Sequence, residues 1–340
     1  MRQHLRTVIA LAAACGLLAL FLRNTDFHAV ATEVARARVS LLLLALVTTA
    51  AAYVFRALRW QYLLQPIGRV HFGNALRTTI IGFAASALLP ARAGEVLRPY
   101  LLAKRERLSA TAAFATIILE RLLDTMMVLV LFAVFLLFFS SGLAQASSAT
   151  FAQVKLGGAI AGGVSVVGLV AMFFLAGHPA TLERVTRTVV RVLPERLGEA
   201  AAKLVRAFAE GLAIVRQPDR LLMALALSVP VWLSISAGIW LSTLAFHIDM
   251  PFTGAFLLQA LLVVGVAVPT PGAVGGFHYF YRLGVTTFYG APNDRAVGAA
   301  LVLHAISFVP VAIIGLILLA QEGLSLSRAG SLARNAEEAA

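Results

Sequence analysis

Long apolar runs alternate with short polar stretches along the chain. Residues 7–22, 40–55, 110–139, 157–176, 221–246 and 296–320 are apolar and approach or exceed the roughly 20 residues that a bilayer-spanning helix needs. Two shorter runs, 78–90 and 253–269, break off in proline- and glycine-rich turns. The pattern predicts an all-α polytopic membrane protein with about six spanning helices and two broken segments. With 60% of residues hydrophobic and 13% charged, a soluble fold could not hide the apolar surface. Residues 1–325 read as a single integral membrane domain, followed by a disordered tail over 326–340. The first run follows MRQHLR without a small-residue cleavage site, so it is expected to remain as a helix rather than leave as a signal peptide.

Charge orients this pattern. Of the 28 Lys and Arg, 21 fall in segments 1–6, 56–77, 91–108, 178–220 and 321–340, and only 6 in 23–39, 140–156 and 282–295. Such a split is the positive-inside signature and puts the N-terminus in the cytoplasm. The net charge of +12 is thereby assigned to orientation and to anionic lipid, not to nucleic acid. Because both 56–77 and 91–108 are then cytoplasmic, the run 78–90 must enter and return. If 253–269 does the same from outside, 296–320 crosses inward and the C-terminus is also cytoplasmic. The two breaks, Pro90 to Gly94 and Pro271 to Gly275, share a P-x-x-x-G spacing, each after a run holding a glycine (Gly82, Gly265). An inverted repeat of two re-entrant segments meeting near the midplane is the expected reading, with chance spacing as its alternative. Residues 178–220 read as cytoplasmic amphipathic surface helices: a connector resting on headgroups or, alternatively, a docking face for lipid-biosynthesis enzymes.

Metal and thiol chemistry find no support. There is one cysteine, Cys15, and seven scattered histidines, so neither a disulfide nor a metal site is expected, and no cofactor is implied. The absence of a GxxxxGK[ST] motif argues against direct use of ATP.

Ionisable residues inside apolar sequence are the informative ones. The run 110–139 contains Glu120, Arg121 and Asp124, with Glu120 and Asp124 on one helix face and Arg121 within reach of Asp124. A charge deep in hydrocarbon costs about 2.5–3.5 kcal/mol, so all three should face the protein interior or a wet cavity. A packing salt bridge about 10–15 Å from the cytoplasmic end is the plainer alternative. In the first break, Pro90 and Gly94 permit a turn at membrane depth, and Arg92 and Arg98 offer donors suited to phosphate, with Glu95 able to neutralise one of them. Exposed backbone N–H groups there would add anion affinity. The stretch is a headgroup site or a self-satisfied hinge. Arg56, Arg59 and Trp60, at the end of the second run, read as an interfacial anchor, with ligand binding as the alternative. In the second half, Pro269, Pro271, Gly272 and Gly275 form the turn; His278 follows it, and His304 lies in the last run. Each histidine is either a hydrogen-bonded packing residue or a proton carrier. Tyr281 and Arg282 complete the second turn as candidate substrate contacts.

Two stretches, LLPARAGEVLRPYLLAKRERLSATAAFATIILERLLD and PTPGAVGGFHYFYRLGVTTFYG, resemble the signature of the flippase-like family that includes the transmembrane region of lysylphosphatidylglycerol synthases. The family pattern runs P-x-R-x-G-E-x-x-R, an E-R-x-x-D helix, P-x-P-G-x-x-G and a final helix, and the likeness covers most of residues 40–320. It implies a protein that moves lipid-linked molecules: aminoacylated phospholipids, polyprenyl-phosphate-linked sugars or lipids of hopanoid-associated gene sets. Together with the Arg/Ala-rich composition, the resemblance implies that the membrane is a bacterial inner membrane. By position, Arg92, Glu95, Arg98, Glu120, Arg121 and Asp124 carry the substrate contacts of such a site. His278 and His304 depart from the pattern, standing where many members have Glu and Arg. These 340 residues hold no soluble aminoacyl-transfer domain, so synthase activity is not expected and no catalytic residue is assigned. The expected function is a flippase for an anionic or isoprenoid-type lipid. Its alternatives are a membrane-embedded lipid-modifying transferase, or a scaffold for a lipid (for example hopanoid) biosynthesis complex.

Overall fold

The computed structural model describes residues 15–23, 25–89, 92–138, 213–267, 270–325 and 330–332, together with Leu156, Ile160, Gly163 and Val167. Its helices are α1 (Phe27–Ala35), α2 (Val39–Leu63), α3 (Phe72–Leu88), α4 (Gly94–Glu106), α5 (Ala110–Phe138), α6 (Pro218–Ala245), α7 (Gly254–Ala267), α8 (Gly276–Tyr289) and α9 (Asn293–Gln321), preceded by a helical stretch over 15–22. No strand occurs among the described residues, as the predicted all-α class requires. Four helices, α2, α5, α6 and α9, are long and apolar enough to cross a bilayer. The remaining predicted spans are described only from Cys15 onward and at four positions of 156–167, and the surface-helix segment lies almost wholly outside the described residues.

Apolar side chains left on the outside show where lipid sits. On α2, Val39, Leu43 and Val47 recur at helical spacing and stay exposed, and on α9 Val309, Ile313 and Ile317 do the same. Such stripes are liabilities in water but satisfied in hydrocarbon.

The two broken segments are helical hairpins. In the first, α3 runs out to Leu89 and the chain returns from Arg92 through α4; in the second, α7 runs out, a 3₁₀ turn over Pro271–Ala273 reverses the chain, and α8 returns. Their arms hold 13 to 17 residues, about 20–25 Å, short of the 30 Å core of a bilayer. Glycine closes both hairpins. A Cβ on Gly94 would run into the Gly82 carbonyl, and a Cβ on Gly276 would run into the Gly265 carbonyl. The turns need left-handed backbone at Arg92 (φ 54°) and Ala273 (φ 56°), as well as at Gly272 and Gly275. The first arm begins at Phe72, six residues before the apolar run. The extra turns are tolerated because Asn74 bonds to Glu106 and Arg77 to Glu322, so their polar groups are not offered to lipid.

Helix α9 acts as a ruler for depth. Near its C-terminal end Glu322 pairs with Arg77 at the foot of α3 (2.7 Å) and Arg105 at the foot of α4 (2.8 Å). Gly315 packs against Ala84 of α3. His304 bonds to the Gly272 carbonyl in the second turn (2.7 Å), and Arg295, at the opposite end, pairs with Glu33 (2.8 Å). At 1.5 Å per residue, the second turn lies about 14 Å from the Arg295 level and about 27 Å from Glu322. The first hairpin therefore enters from the Glu322 end and the second from the Glu33 end. Their tips touch: Arg92 donates from Nη2 to the Val266 carbonyl at 2.6 Å. Residues 330–332 are helical. Leu332 packs on the cluster of Ile81, Ala85, Leu97, Leu101 and Leu319, because this apolar flank of the first hairpin offers it cover.

Candidate functional site

The ionisable residues of α5 lie in its middle part, Glu120 about 15 Å from the first residue of the helix. Asp124 lies midway along the 29-residue helix, about 21 Å from either end. Glu120 is fully buried and Asp124 nearly so. Three neighbouring helices supply their partners. Arg56 and Arg59, three apart on one face of α2, reach Asp124 at 3.3 and 2.8 Å, and Arg59 also lies 3.6 Å from Glu120. Arg98 of α4 donates to Glu120 at 2.9 Å. Arg121 donates to Glu120 at 2.6 Å and approaches Asp124 at 3.3 Å. From α6, Trp232 donates its indole N–H to Asp124 (2.9 Å), and Ser228 accepts from Arg59 (2.8 Å). Gly82 makes room for this arrangement, since a Cβ there would press on the Arg98 Cβ at 2.6 Å.

Aromatic faces fill the gaps. The Arg98 guanidinium sits 3.8 Å above the Trp60 ring, and Phe83 of α3 lies within 5.1–6.0 Å of Arg56, Arg98 and Arg121. Hydrogen bonding is incomplete. Nε and Nη2 of Arg59, Nε and Nη2 of Arg98, Nε of Arg121 and Oε2 of Glu120 are buried without a hydrogen-bond partner among the described residues. Four guanidiniums face two carboxylates, so even with both acids charged the cluster holds an excess of two positive charges. Buried donors and uncompensated charge both cost free energy unless something satisfies them. The cluster opens on one side through Arg121, whose side chain is 35% exposed. Glu95 interacts electrostatically with Arg121 and lies 3.8 Å from Arg92 on the lip of the first turn.

The expected site residues separate into groups. Arg98, Glu120, Arg121 and Asp124 form the buried cluster, with Arg92 and Glu95 at its lip. Arg56, Arg59 and Trp60, read from sequence as an interfacial anchor, are instead buried members of it, because charged partners on α4 and α5 draw them inward. His278 and His304 pack together at the second tip with ring centroids 4.5 Å apart. His304 must donate from Nε2, since its partner is the Gly272 carbonyl; His278 accepts at Nδ1 from the Gly275 N–H (3.4 Å). Phe21 and Phe308 lie against these rings. Tyr281 and Arg282 belong to neither group. Tyr281 is buried on Thr243 (2.8 Å), and Arg282 donates to the carbonyl of Phe21 (2.6 Å), tying helix 15–22 to α8. Pro90 and Pro269 lie outside the described residues, whereas Pro271 and Gly272 lie in the 3₁₀ turn of the second hairpin and Gly275 precedes α8. No group of three potential metal ligands occurs among the described residues.

A search of curated proteins finds no match to the chain. The family model described as Lysylphosphatidylglycerol synthase TM region matches residues 7–315, spanning both hairpins and every member of the charged cluster, and the chain belongs to that family of lipid-related membrane proteins.

Proposed function

We propose that this protein is a flippase rather than an enzyme: it carries a lipid with an anionic headgroup across the bacterial inner membrane. The observation behind the reading is the buried excess of guanidinium over carboxylate at mid-length of the apolar helix α5, beside the point where two opposed hairpins touch. An anionic headgroup passing Arg121 would satisfy donors that the protein leaves open, while its tails stay in lipid. Two hairpins that enter from opposite ends and touch at their tips form a thin barrier that small movements could open to one side or the other. The basic Glu322 end, which carries Arg77, Lys104 and Arg105, faces the cytoplasm in this reading. Membrane lipids are the partners, and neither metal nor nucleotide takes part.

Purified protein reconstituted in liposomes should move a fluorescent anionic phospholipid between leaflets, with Arg121→Gln and Arg98→Gln each slowing it about tenfold or more, the worth of one charged hydrogen bond. Mass spectrometry of lipids retained after gentle detergent purification should show one anionic class enriched in wild type and lost from Arg98→Gln. Undiminished movement in both variants, or retention of bulk lipid alone, would remove the cluster from the transport path and favour a neutral isoprenoid substrate.

A further inference from the structure

We infer that the lipid recognised by the buried cluster carries two negative charges on one phosphate group or on a diphosphate, and no ammonium group. The inference rests on the flippase reading for its lipid source and on the charge count for its class. Among the described residues, Arg56, Arg59, Arg98 and Arg121 pair with Glu120 and Asp124, and Arg92 and Glu95 at the lip add one charge of each sign, leaving the excess at two. The other described carboxylates with ion pairs, Glu33, Glu106 and Glu322, are engaged with Arg295, His71, Arg77 and Arg105 at the two ends of the molecule.

Beyond the two carboxylates, π-faces supply the remaining negative potential that the described residues offer the guanidiniums. Phe83 lies among the guanidiniums of Arg56, Arg98 and Arg121, Trp60 also faces Arg98, and Trp232 also faces Arg56. A ring quadrupole offsets a cation only weakly compared with a phosphate oxygen. The open donors are directional as well. Two of them belong to Arg98 and two to Arg59, an arrangement in which several phosphate oxygens can each accept from more than one guanidinium. A phosphodiester brings a single negative charge and leaves the cluster one short. A phosphate monoester brings about 1.5–2 at neutral pH and closes the balance. A lysyl ester of phosphatidylglycerol is the least suited, because its ammonium groups would meet four guanidiniums in a low-dielectric site.

Full-length protein in non-ionic detergent at pH 7.5 is titrated calorimetrically with dihexanoyl phosphatidic acid, dihexanoyl phosphatidylglycerol, lysylphosphatidylglycerol and inorganic phosphate. Fluorescent versions of the three lipids are followed in proteoliposomes. Phosphatidic acid is expected to bind at least about tenfold more tightly than phosphatidylglycerol, the effect of one additional charge interaction at moderate effective dielectric, with the lysyl lipid weaker still. Arg98→Gln should shrink the first ratio toward one, and the wild-type panel decides the matter if that variant does not fold. Equal binding of the first two lipids, or tighter binding of the lysyl lipid, overturns the charge class even when all three are moved across the bilayer. Selective binding of phosphatidic acid with no lipid moved supports the charge class and sinks the flippase reading instead. Inorganic phosphate competing as well as phosphatidic acid overturns the lipid source while upholding the two-charge site.

Discussion

One oxygen, Oε1 of Glu120, holds three guanidiniums, those of Arg98, Arg121 and Arg59. Removing its charge leaves three positive charges in excess where there were two, around a carboxylate that is itself fully buried. Glu120→Gln should therefore cost about 3–5 kcal/mol of folding stability, read from denaturation in detergent. Arg98→Met in the same background should recover part of it, because it withdraws one of the stranded cations; additive losses would show that the two residues act independently. A second carboxylate, Glu106 at the foot of α4, sits outside the membrane-spanning helices. Burial pushes its pKa up, but hydrogen bonds from Asn74 and from the His71 backbone and ring outweigh that and leave it lowered. A lowered folded-state value means that its contribution is complete above the ordinary carboxylate range and is lost as the pH falls through it. Thermal stability should drop between about pH 5 and pH 3, and Glu106→Gln should remove that part of the drop. Among the site residues, Glu120, Arg121 and Asp124 were legible because charges inside an apolar run have few explanations. Arg56, Arg59 and Trp60 were not, since arginine and tryptophan at the end of an apolar helix read the same whether they meet headgroups or turn inward. Only the carboxylates brought by α5 distinguish the two cases.

At the scale of elements, each hairpin depends on a pair of glycines packed backbone to backbone. Gly94→Ala would set a methyl against the Gly82 carbonyl and the Ser86 backbone, and Gly276→Ala would set one against the Gly265 carbonyl. Neither neighbour is a side-chain end that could swing aside, so each substitution should cost about 1–3 kcal/mol and loosen the tip contact between Arg92 and Val266. Gly73, also in α3 but with open space around its Cβ position, supplies the comparison: Gly73→Ala should be neutral or stabilising by up to about 1 kcal/mol. If Gly94→Ala and Gly73→Ala behave alike in a thermal shift assay, the close approach does not hold the hairpin together. The breaks themselves were readable from P-x-x-x-G and from the glycines upstream. What the spacing could not convey was the starting point of α3, where Asn74 and Arg77 look like loop residues until Glu106 and Glu322 arrive from 32 and 245 positions away. Nor could it bring His278 and His304 face to face, since that depends on α9 crossing the second turn.

The whole molecule places the feet of the two hairpins at opposite ends of α9, and this arrangement makes a labelling prediction that no single helix could. Cys15 is the only cysteine, so Cys15→Ser gives a background without thiols. In it, Gln65→Cys and Lys104→Cys sit on exposed positions flanking the first hairpin, and Asp249→Cys and Pro292→Cys on exposed positions flanking the second. A membrane-impermeant maleimide applied to intact spheroplasts should label Asp249→Cys and Pro292→Cys and leave Gln65→Cys and Lys104→Cys unreacted until the membrane is opened. The two members of each pair must agree because each hairpin returns to the side it left; the pairs must differ because Glu322 and Arg295 mark opposite ends of one spanning helix. The positive-inside bias decides which pair reacts first, so a reversal of the whole pattern would correct only the orientation. A split within the first pair would mean that α3 crosses the bilayer alone. The tip of the first hairpin could not then meet the second at mid-depth, and the guanidiniums of α2 and α4 would have no common place in the membrane from which to face the acids of α5.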